Sequence, residues 1–225
     1  MPSNGKKTWE LSPNRVWLFF GKPGTGKSTT ARLVVNRLLA QDPASIALIH
    51  DPHPTSDRHR GYGARKIYTS PEAFRQAEQI QRVNVFQGAF DPCELAPLAL
   101  ELGRLRPVIL VYDELDLVIG NGGMFRDGGQ GGPLHEVANY GRHRRVSLVG
   151  TARRAPTVGP MLQSSAAGLF VLRLDSPADM NWCKSVIDPE TADQIKKLPP
   201  FSGIFRDEHG ETHRFQVNQT SLRFQ

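Results

Sequence analysis

Short apolar runs alternate with longer segments of helical spacing along most of the chain. The apolar runs predict buried β-strands at residues 15–21, 45–50, 83–87, 107–112, 146–151 and 168–175. Helical spacing of apolar residues predicts six helices, at residues 27–40, 71–81, 93–102, 133–142, 177–187 and 191–198. Pro97 is expected to interrupt or kink the third of these helices, because proline lacks the backbone N–H that a helix interior needs.

The order of these elements predicts an α/β protein. Strands made of continuous apolar residues are typical of a parallel sheet that is covered on both faces. We therefore expect a doubly wound, mainly parallel sheet with helices on both faces. Residues 203–207 and 212–217 flank a short polar turn and predict a small C-terminal β-hairpin. We assign residues 1–225 to a single domain, with its core at about 15–203 and a C-terminal hairpin and tail at 204–225.

The segment from Gly21 to Ser28 matches the phosphate-binding pattern G-x-x-x-x-G-K-[S/T], known as Walker A. It follows a predicted strand and opens a predicted helix, which is the context of a P-loop NTPase. Glycines let backbone N–H groups turn towards phosphate oxygens, and the helix N-terminus adds partial positive charge. Lys27 is expected to reach the β- and γ-phosphates of ATP, and the Ser28 hydroxyl to bind Mg²⁺. The predicted nucleotide-binding residues here are Gly21, Lys22, Pro23, Gly24, Thr25, Gly26, Lys27, Ser28 and Thr29.

Two acidic residues follow the apolar strand that ends at Tyr112. An aspartate at such a strand end can support Mg²⁺, so Asp113 is the predicted metal-binding carboxylate. The adjacent Glu114 is then placed to orient and deprotonate the attacking water. A kinase would need no such glutamate, so the pair favours ATP hydrolysis over phosphoryl transfer to a metabolite.

Several arginines and a threonine surround the next predicted strand, residues 146–151. In parallel α/β sheets ligands bind at the carboxyl ends of the strands, so Thr151 is a candidate sensor of the γ-phosphate. An arginine at a subunit edge can act on a neighbour's γ-phosphate as an arginine finger. The candidates are Arg142, Arg144, Arg145, Arg153 and Arg154, and we expect Arg142 to take this catalytic role. Ordinary basic residues at a helix C-terminus, or contacts to DNA phosphates, are the alternatives.

The formal net charge of +6 favours a polyanionic partner such as nucleic acid. Two long loops could supply the contacts. The first, residues 51–66, carries the basic residues Arg58, His59, Arg60, Arg65 and Lys66. The second, residues 120–132, is rich in glycine and carries Arg126. Solvated surface loops remain the alternative for both. The chain has no apolar segment long enough to span a membrane, so no transmembrane segment is expected.

The order of these motifs resembles the HerA/FtsK superfamily of DNA-translocating ATPases. The resemblance covers residues 21 to about 203 and is carried by GKPGTGKS (21–28), VILVYDE (108–114), YGRHRRVSLVGTARRAP (140–156) and GLFVLRLDSPAD (168–179). Ala152 stands where the family usually carries glutamine, and Arg154 stands where it usually carries proline. The minimal length is similar to that of the genome-packaging ATPases of icosahedral viruses with an internal membrane.

This resemblance implies an ATPase that moves double-stranded DNA through a homo-oligomeric ring, with a hexamer as the family's usual state. It also implies ATP and Mg²⁺ as cofactors, and Lys27, Ser28, Asp113, Glu114 and Arg142 in the roles given above. A packaging motor would work in the host cytoplasm and at the virion vertex, with capsid or vertex proteins as partners.

Two alternatives stay open at this point. One is a partitioning-type switch that binds DNA when ATP drives its dimerisation, because Lys22 occupies the position of the lysine that crosses the dimer interface in those proteins. Pro23, where they carry glycine, opposes this alternative. The other is a small-molecule kinase, in which arginines at 142–154 would act as lid residues.

Overall fold

The computed structural model describes residues 11–53, 62, 66–120, 125–127 and 131–224. Ten strands form one sheet: β1 (Val16–Phe20), β2 (Ile46–His50), β3 (Lys66–Tyr68), β4 (Val83–Phe86), β5 (Val108–Asp113), β6 (Val146–Ala152), β7 (Ala166–Leu172), β8 (Ser202–Asp207), β9 (Thr212–Val217) and β10 (Leu222–Phe224). The α-helices in the same residues are α1 (Lys27–Gln41), α2 (Pro71–Arg75), α3 (Leu95–Gly103), α4 (Pro133–Arg144), α5 (Pro160–Ser164), α6 (Pro177–Val186) and α7 (Pro189–Ile195).

The sheet is parallel through most of its width, as predicted. Its strand order is β10-β9-β8-β7-β1-β6-β5-β2-β4-β3. The pairs among β1 to β7 are all parallel, whereas β8, β9 and β10 are antiparallel to their neighbours. The predicted C-terminal hairpin is therefore β8–β9, and it continues the main sheet because β8 pairs with β7.

Both faces of the sheet are buried under helices. Successive side chains of β1 alternate between two apolar clusters, as the pleat of a strand requires. Trp17 and Phe19 pack on the side of α1, and Leu18 and Phe20 pack on the opposite side with α3, α4, α6 and α7. Each such large apolar side chain stabilises the fold by about 1.5–3 kcal/mol.

Two sequence-based predictions about helices were wrong in detail. The helix expected at 71–81 ends at Arg75. Phe74 is buried and Ala77 still packs against the core, but residues 78–80 are exposed, so no larger apolar side chain holds a further turn. Pro97 does not interrupt a helix either, since it is the third residue of α3, after a 3₁₀ turn at Pro92–Glu94. A proline is tolerated there because first-turn N–H groups have no partner within the helix.

The two outer strands β3 and β10 were not predicted. Each is only three residues long, too short for a pattern to mark a strand. In β3, Lys66 and Ile67 are exposed, whereas Leu222 and Phe224 of β10 alternate with exposed Arg223 over a single period. Arg58, His59, Arg60 and Arg65, proposed as nucleic-acid contacts, lie outside the described residues. In the glycine-rich loop, Phe125 is buried and bridges to Ile119, and the side chain of Arg126 donates to the carbonyl of Leu117 at 2.7 Å.

Three neighbouring strands bring the predicted site together. The P-loop follows β1, and β6 lies between β1 and β5 in the sheet. Asp113, the last residue of β5, pairs in register with Thr151 of β6. Because these strands are parallel, their carboxyl ends meet at one edge of the sheet.

Candidate active site

The loop between β1 and α1 has the backbone conformation of a phosphate cradle. Gly26, the residue before α1, has a φ of 104°, a left-handed conformation that glycine adopts without steric cost. A Cβ on Gly26 would also lie 2.7 Å from the phenyl ring of Phe201, so no larger residue fits. A helix leaves its first N–H groups without intrahelical acceptors, so the start of α1 can bind an anion at this end.

Lys27 lies across the loop. Its Nζ atom donates to the carbonyl oxygen of Lys22 at 3.1 Å, and the buried hydroxyl of Thr25 donates to the same oxygen at 2.8 Å. These bonds hold the loop in a tight curve with the Lys27 ammonium at its mouth. This arrangement fits the predicted contact of Lys27 with the β- and γ-phosphates.

Asp113 is the centre of a small hydrogen-bonded group. It is 6% exposed, and its Oδ1 atom accepts from the hydroxyls of Ser28 at 2.9 Å and of Thr151 at 2.8 Å. Hydroxyl and carboxylate oxygens are the hard ligands that Mg²⁺ takes in phosphate-binding sites. The pair Ser28 and Asp113 therefore fits the magnesium site predicted from the sequence.

Glu114 directly follows β5 in a left-handed conformation, with a φ of 82°, which is unusual for a residue other than glycine. Its backbone N–H donates to the Thr151 hydroxyl at 3.1 Å, so Thr151 links both predicted carboxylates. Its side chain accepts a hydrogen bond from Arg153 at 2.5 Å and lies 3.0 Å from Nε2 of His53. A strained backbone held by such contacts is common at active sites.

The surroundings of Glu114 keep it ionised. Burial by itself would raise the pKa of its carboxyl, but the hydrogen bonds and charges of Arg153 and His53 outweigh burial and hold that pKa below its ordinary value. Arg153 remains charged, because Glu114 raises the pKa of its guanidinium. In this arrangement Glu114 is a charged proton acceptor at neutral pH.

One cleft of about 350 Å³ joins these groups. Its walls include the predicted site residues Pro23, Gly24, Gly26, Lys27, Ser28, Thr29, Asp113, Glu114 and Thr151. The finger candidate Arg153 also lines it. So do four residues to which the sequence analysis gave no role, namely Arg32, His53, Tyr62 and Phe201. They reach the cleft from separate parts of the chain, and no local motif marks any of them.

Lys22 does not point to a partner molecule in this structure. Its Nζ atom pairs with Oδ2 of Asp175 in the same chain at 2.6 Å, and both side chains are partly exposed. Asp175 follows β7, next to β1 in the sheet. This contact gives Lys22 a partner other than nucleotide.

The five candidate arginines lie at two edges of the sheet. Arg153 and Arg154 follow β6 at the nucleotide edge, where Arg153 contacts Glu114 and Arg154 lies 3.9 Å from Asp179. Arg142, Arg144 and Arg145 are at the end of α4, which precedes β6 and so lies at the opposite edge. The structure therefore does not bring Arg142 into its own chain's cleft.

The three arginines at that opposite edge differ in their contacts within the chain. Arg144 pairs with Glu136 at 2.7 Å, and Arg145 donates to the backbone carbonyls of Gly103 and Arg104. The side chain of Arg142 is exposed and has no ion-pair or hydrogen-bond partner among the residues that the structure describes. Its role as a finger stays a prediction.

Comparison with protein families agrees with this geometry. The model of the "ATPase family associated with various cellular activities (AAA)" matches residues 17–171, which is most of the chain. The chain belongs to the AAA family of ATPases. It is thus an ATP-hydrolysing enzyme.

Solved structures share the fold of this AAA ATPase at low sequence identity. The genome-packaging NTPase B204 of Sulfolobus turreted icosahedral virus 2, in complex with AMP, aligns with a TM-score of 0.70 and 16% identity over 95% of this chain and 98% of that chain. B204, the DNA-packaging ATPase from Sulfolobus turreted icosahedral virus, aligns with a TM-score of 0.66 and 15% identity, covering 95% and 98%. The pCW3 conjugation coupling protein TcpA, with ATPγS, aligns with a TM-score of 0.59 and 15% identity over 92% of this chain and 62% of that one.

These neighbours confirm the predicted P-loop fold and fit the resemblance to DNA-translocating ATPases. A comparison with curated protein sequences finds no match. Within the described part of the chain, none of the helices combines the length and the apolar character needed to cross a bilayer.

Thr151 offers a direct test of how this AAA ATPase positions its carboxylates. Thr151→Val keeps the shape of the side chain but removes the hydroxyl that donates to Asp113 and accepts from Glu114. We expect kcat for ATP hydrolysis to fall about 10- to 100-fold, the usual effect of losing a group that orients metal ligands. Steady-state hydrolysis over a range of Mg²⁺ concentrations measures it. Thr151→Ser, which keeps the hydroxyl, is the control and should retain most of the activity. If Thr151→Val hydrolysed ATP as fast as the unmodified protein, the hydroxyl would have no part in positioning the carboxylates.

His50 next to the site should make stability depend on pH. Burial lowers its pKa from 6.5 to about 4, although the charges of Asp51, Asp113 and Glu114 oppose this effect. Between these pH values the unfolded chain binds a proton that the folded chain does not. The free energy of unfolding should therefore fall as pH drops from 6.5 towards 4, by up to about 1.4 kcal/mol per pH unit.

Urea unfolding at a series of pH values measures this dependence. His50→Leu should reduce the slope between pH 6.5 and 4, whereas the same change at the exposed His143 should leave the slope unaltered. An unchanged slope in His50→Leu would assign the acid sensitivity to other groups.

Proposed function

We propose that this AAA ATPase is a subunit of a homo-oligomeric ring, a hexamer by the resemblance above, that moves double-stranded DNA and packages a viral genome. The observation that carries the proposal is the likeness to the genome-packaging NTPase B204, because it extends over 95% of this chain and 98% of that one. A second likeness, to a conjugation coupling protein, is in keeping with work on DNA. A packaging motor of this kind would act in the host cytoplasm, at the vertex of the virion and with capsid proteins as partners.

The cleft supplies the groups that hydrolysis needs. Lys27 and the N–H groups at the start of α1 would bind the phosphates, and Ser28 and Asp113 would hold Mg²⁺. When bound, Mg²⁺ neutralises charge on the phosphate oxygens. Glu114 is ionised and lies in the same cleft, so it can accept a proton from the attacking water.

A neighbouring subunit would complete the site. Because Arg142 is exposed and lies at the edge opposite its own cleft, it can reach only the nucleotide of another subunit. In a ring with head-to-tail contacts, the front of one subunit meets the back of the next, so such an arginine can serve each neighbouring cleft in turn. This placement supports hydrolysis between subunits.

The proposal is tested by steady-state ATP hydrolysis with and without linear double-stranded DNA, over a range of protein concentrations. We expect the rate per subunit to rise with DNA and with protein concentration, because both promote the ring. Movement along DNA is measured separately by displacement of a third strand from a DNA triplex. ATP-dependent displacement supports translocation, whereas hydrolysis that is indifferent to DNA and to concentration would contradict it.

The partitioning-type alternative makes an opposite prediction at Lys22. If Lys22 only pairs with Asp175, Lys22→Ala should change the rate of DNA-stimulated hydrolysis by less than about twofold, since an exposed ion pair contributes little. Asp175→Asn, which breaks the same pair and keeps the lysine, is the matched control. Complete loss of hydrolysis in Lys22→Ala alone would favour a dimeric switch.

A further inference from the structure

Phe201 occupies a turn position that favours glycine or asparagine. The N–H of Ser202 donates to the carbonyl of Pro199 at 3.3 Å and closes a β-turn with Pro200 and Phe201 at its centre. Phe201 has a φ of 62°, in the left-handed region. This conformation is unfavourable for a phenylalanine, because its Cβ crowds the backbone.

The strained backbone is held on both sides by hydrogen bonds. The N–H of Phe201 donates to the carbonyl of Thr25 in the P-loop at 2.8 Å, and its own carbonyl accepts from Val217 of β9 at 2.8 Å. The ring packs against Gly26. Phe201 is therefore fixed to the phosphate cradle itself, although 175 positions separate it from Gly26. Strain that is maintained in this way is typical of functional positions.

The position of the Phe201 ring suits contact with the base of a nucleotide rather than with its phosphates. It is 43% exposed and lines the same cleft as Lys27 and Glu114. Phe201 directly precedes β8, whereas Glu114 directly follows β5, and the sheet order β8-β7-β1-β6-β5 puts them on opposite sides of the P-loop. With the γ-phosphate on the side of Glu114, as the predicted role of Glu114 requires, the other end of a bound nucleotide would extend towards Phe201.

We propose that the phenyl ring of Phe201 is the platform on which the base of the nucleotide stacks. An exposed aromatic face in a cleft suits a planar base. Stacking accepts any base, since every base has a π-face, so Phe201 should support binding of ATP and GTP alike. The inference rests on nucleotide binding in this cleft and is independent of whether the protein moves DNA.

Phe201→Gly separates stacking from folding, because glycine suits the left-handed turn position and should leave the melting temperature without nucleotide unchanged or higher. Binding of two Mg²⁺-bound probes is compared by calorimetry: the non-hydrolysable analogue AMPPCP, and inorganic tripolyphosphate, which has phosphates but no base. We expect Kd for AMPPCP to rise about 5- to 100-fold and Kd for tripolyphosphate to stay within about twofold. Phe201→Tyr, which keeps an aromatic face, should bind AMPPCP like the unmodified protein.

Two results would overturn the proposal. If both probes weaken equally in Phe201→Gly, Phe201 shapes the P-loop and does not contact the base. If neither probe weakens, the ring contributes nothing to nucleotide binding. Failure of DNA-stimulated hydrolysis would leave both measurements unaffected, so this inference and the proposed function are tested separately.

Discussion

Glu114→Gln is expected to lower kcat for ATP hydrolysis by about 10²- to 10⁴-fold while changing the affinity for ATP only a few-fold. Glutamine has the size of glutamate and can still accept from Arg153, but it cannot take a proton from water. The fold should be unaffected, because the backbone N–H of Glu114, which donates to Thr151, is kept. Single-turnover hydrolysis, together with equilibrium binding of ATP, measures the two effects.

Glu136→Gln is the matched control for this variant. It makes the same chemical change on a glutamate of α4 that pairs with Arg144, away from the cleft. We expect it to hydrolyse ATP at the unmodified rate. If Glu114→Gln retained more than about a tenth of the activity, another group would have to accept the proton.

Arg142→Ala should lower DNA-stimulated hydrolysis even more, by about 10³- to 10⁵-fold, the range seen for arginine fingers in related phosphoryl-transfer enzymes. The decisive experiment mixes Arg142→Ala with Glu114→Gln, each inactive by itself. A ring interface is active again where a subunit with Glu114 meets a neighbour with Arg142. In an equal mixture about a quarter of the interfaces combine Glu114 with a neighbour's Arg142. Hydrolysis should therefore recover to about a quarter of the rate of the unmodified ring.

Two further variants distinguish Arg142 from the other arginines. Arg144→Ala, two residues away and paired with Glu136, should retain activity. Arg153→Ala tests whether the arginine that already contacts Glu114 in the same chain is the catalytic one. If Arg142→Ala is fully active, the finger is not Arg142. If mixing restores nothing while Arg153→Ala is inactive, the catalytic arginine is Arg153, acting within its own subunit.

Local sequence patterns predicted most of the strands and helices, but they missed the two edge strands of the sheet. The buried strands β1 and β5 have nearly continuous apolar runs, because both of their faces are covered, and such runs can be recognised from the sequence. The edge strands β3 and β10 were missed because each is only three residues long, too short for a run of apolar residues to mark it. The helix at Pro71 was predicted to reach residue 81 but ends at Arg75, since residues 78–80 are exposed and add no buried apolar contact.

The chain's amino-acid order alone predicts the phosphate cradle and the two carboxylates. Gly21 to Ser28 form a contiguous motif whose spacing reflects backbone geometry, and Asp113 and Glu114 stand at the end of a recognisable buried strand. The residues that set the charge and shape of this site come from distant segments of the chain, and only the folded structure brings them to it. Arg153 and His53 lower the pKa of Glu114, Asp175 pairs with Lys22, and Phe201 is held against Gly26. The reason is physical: each of these contacts depends on strand order and register, which bring together residues that no sequence spacing relates.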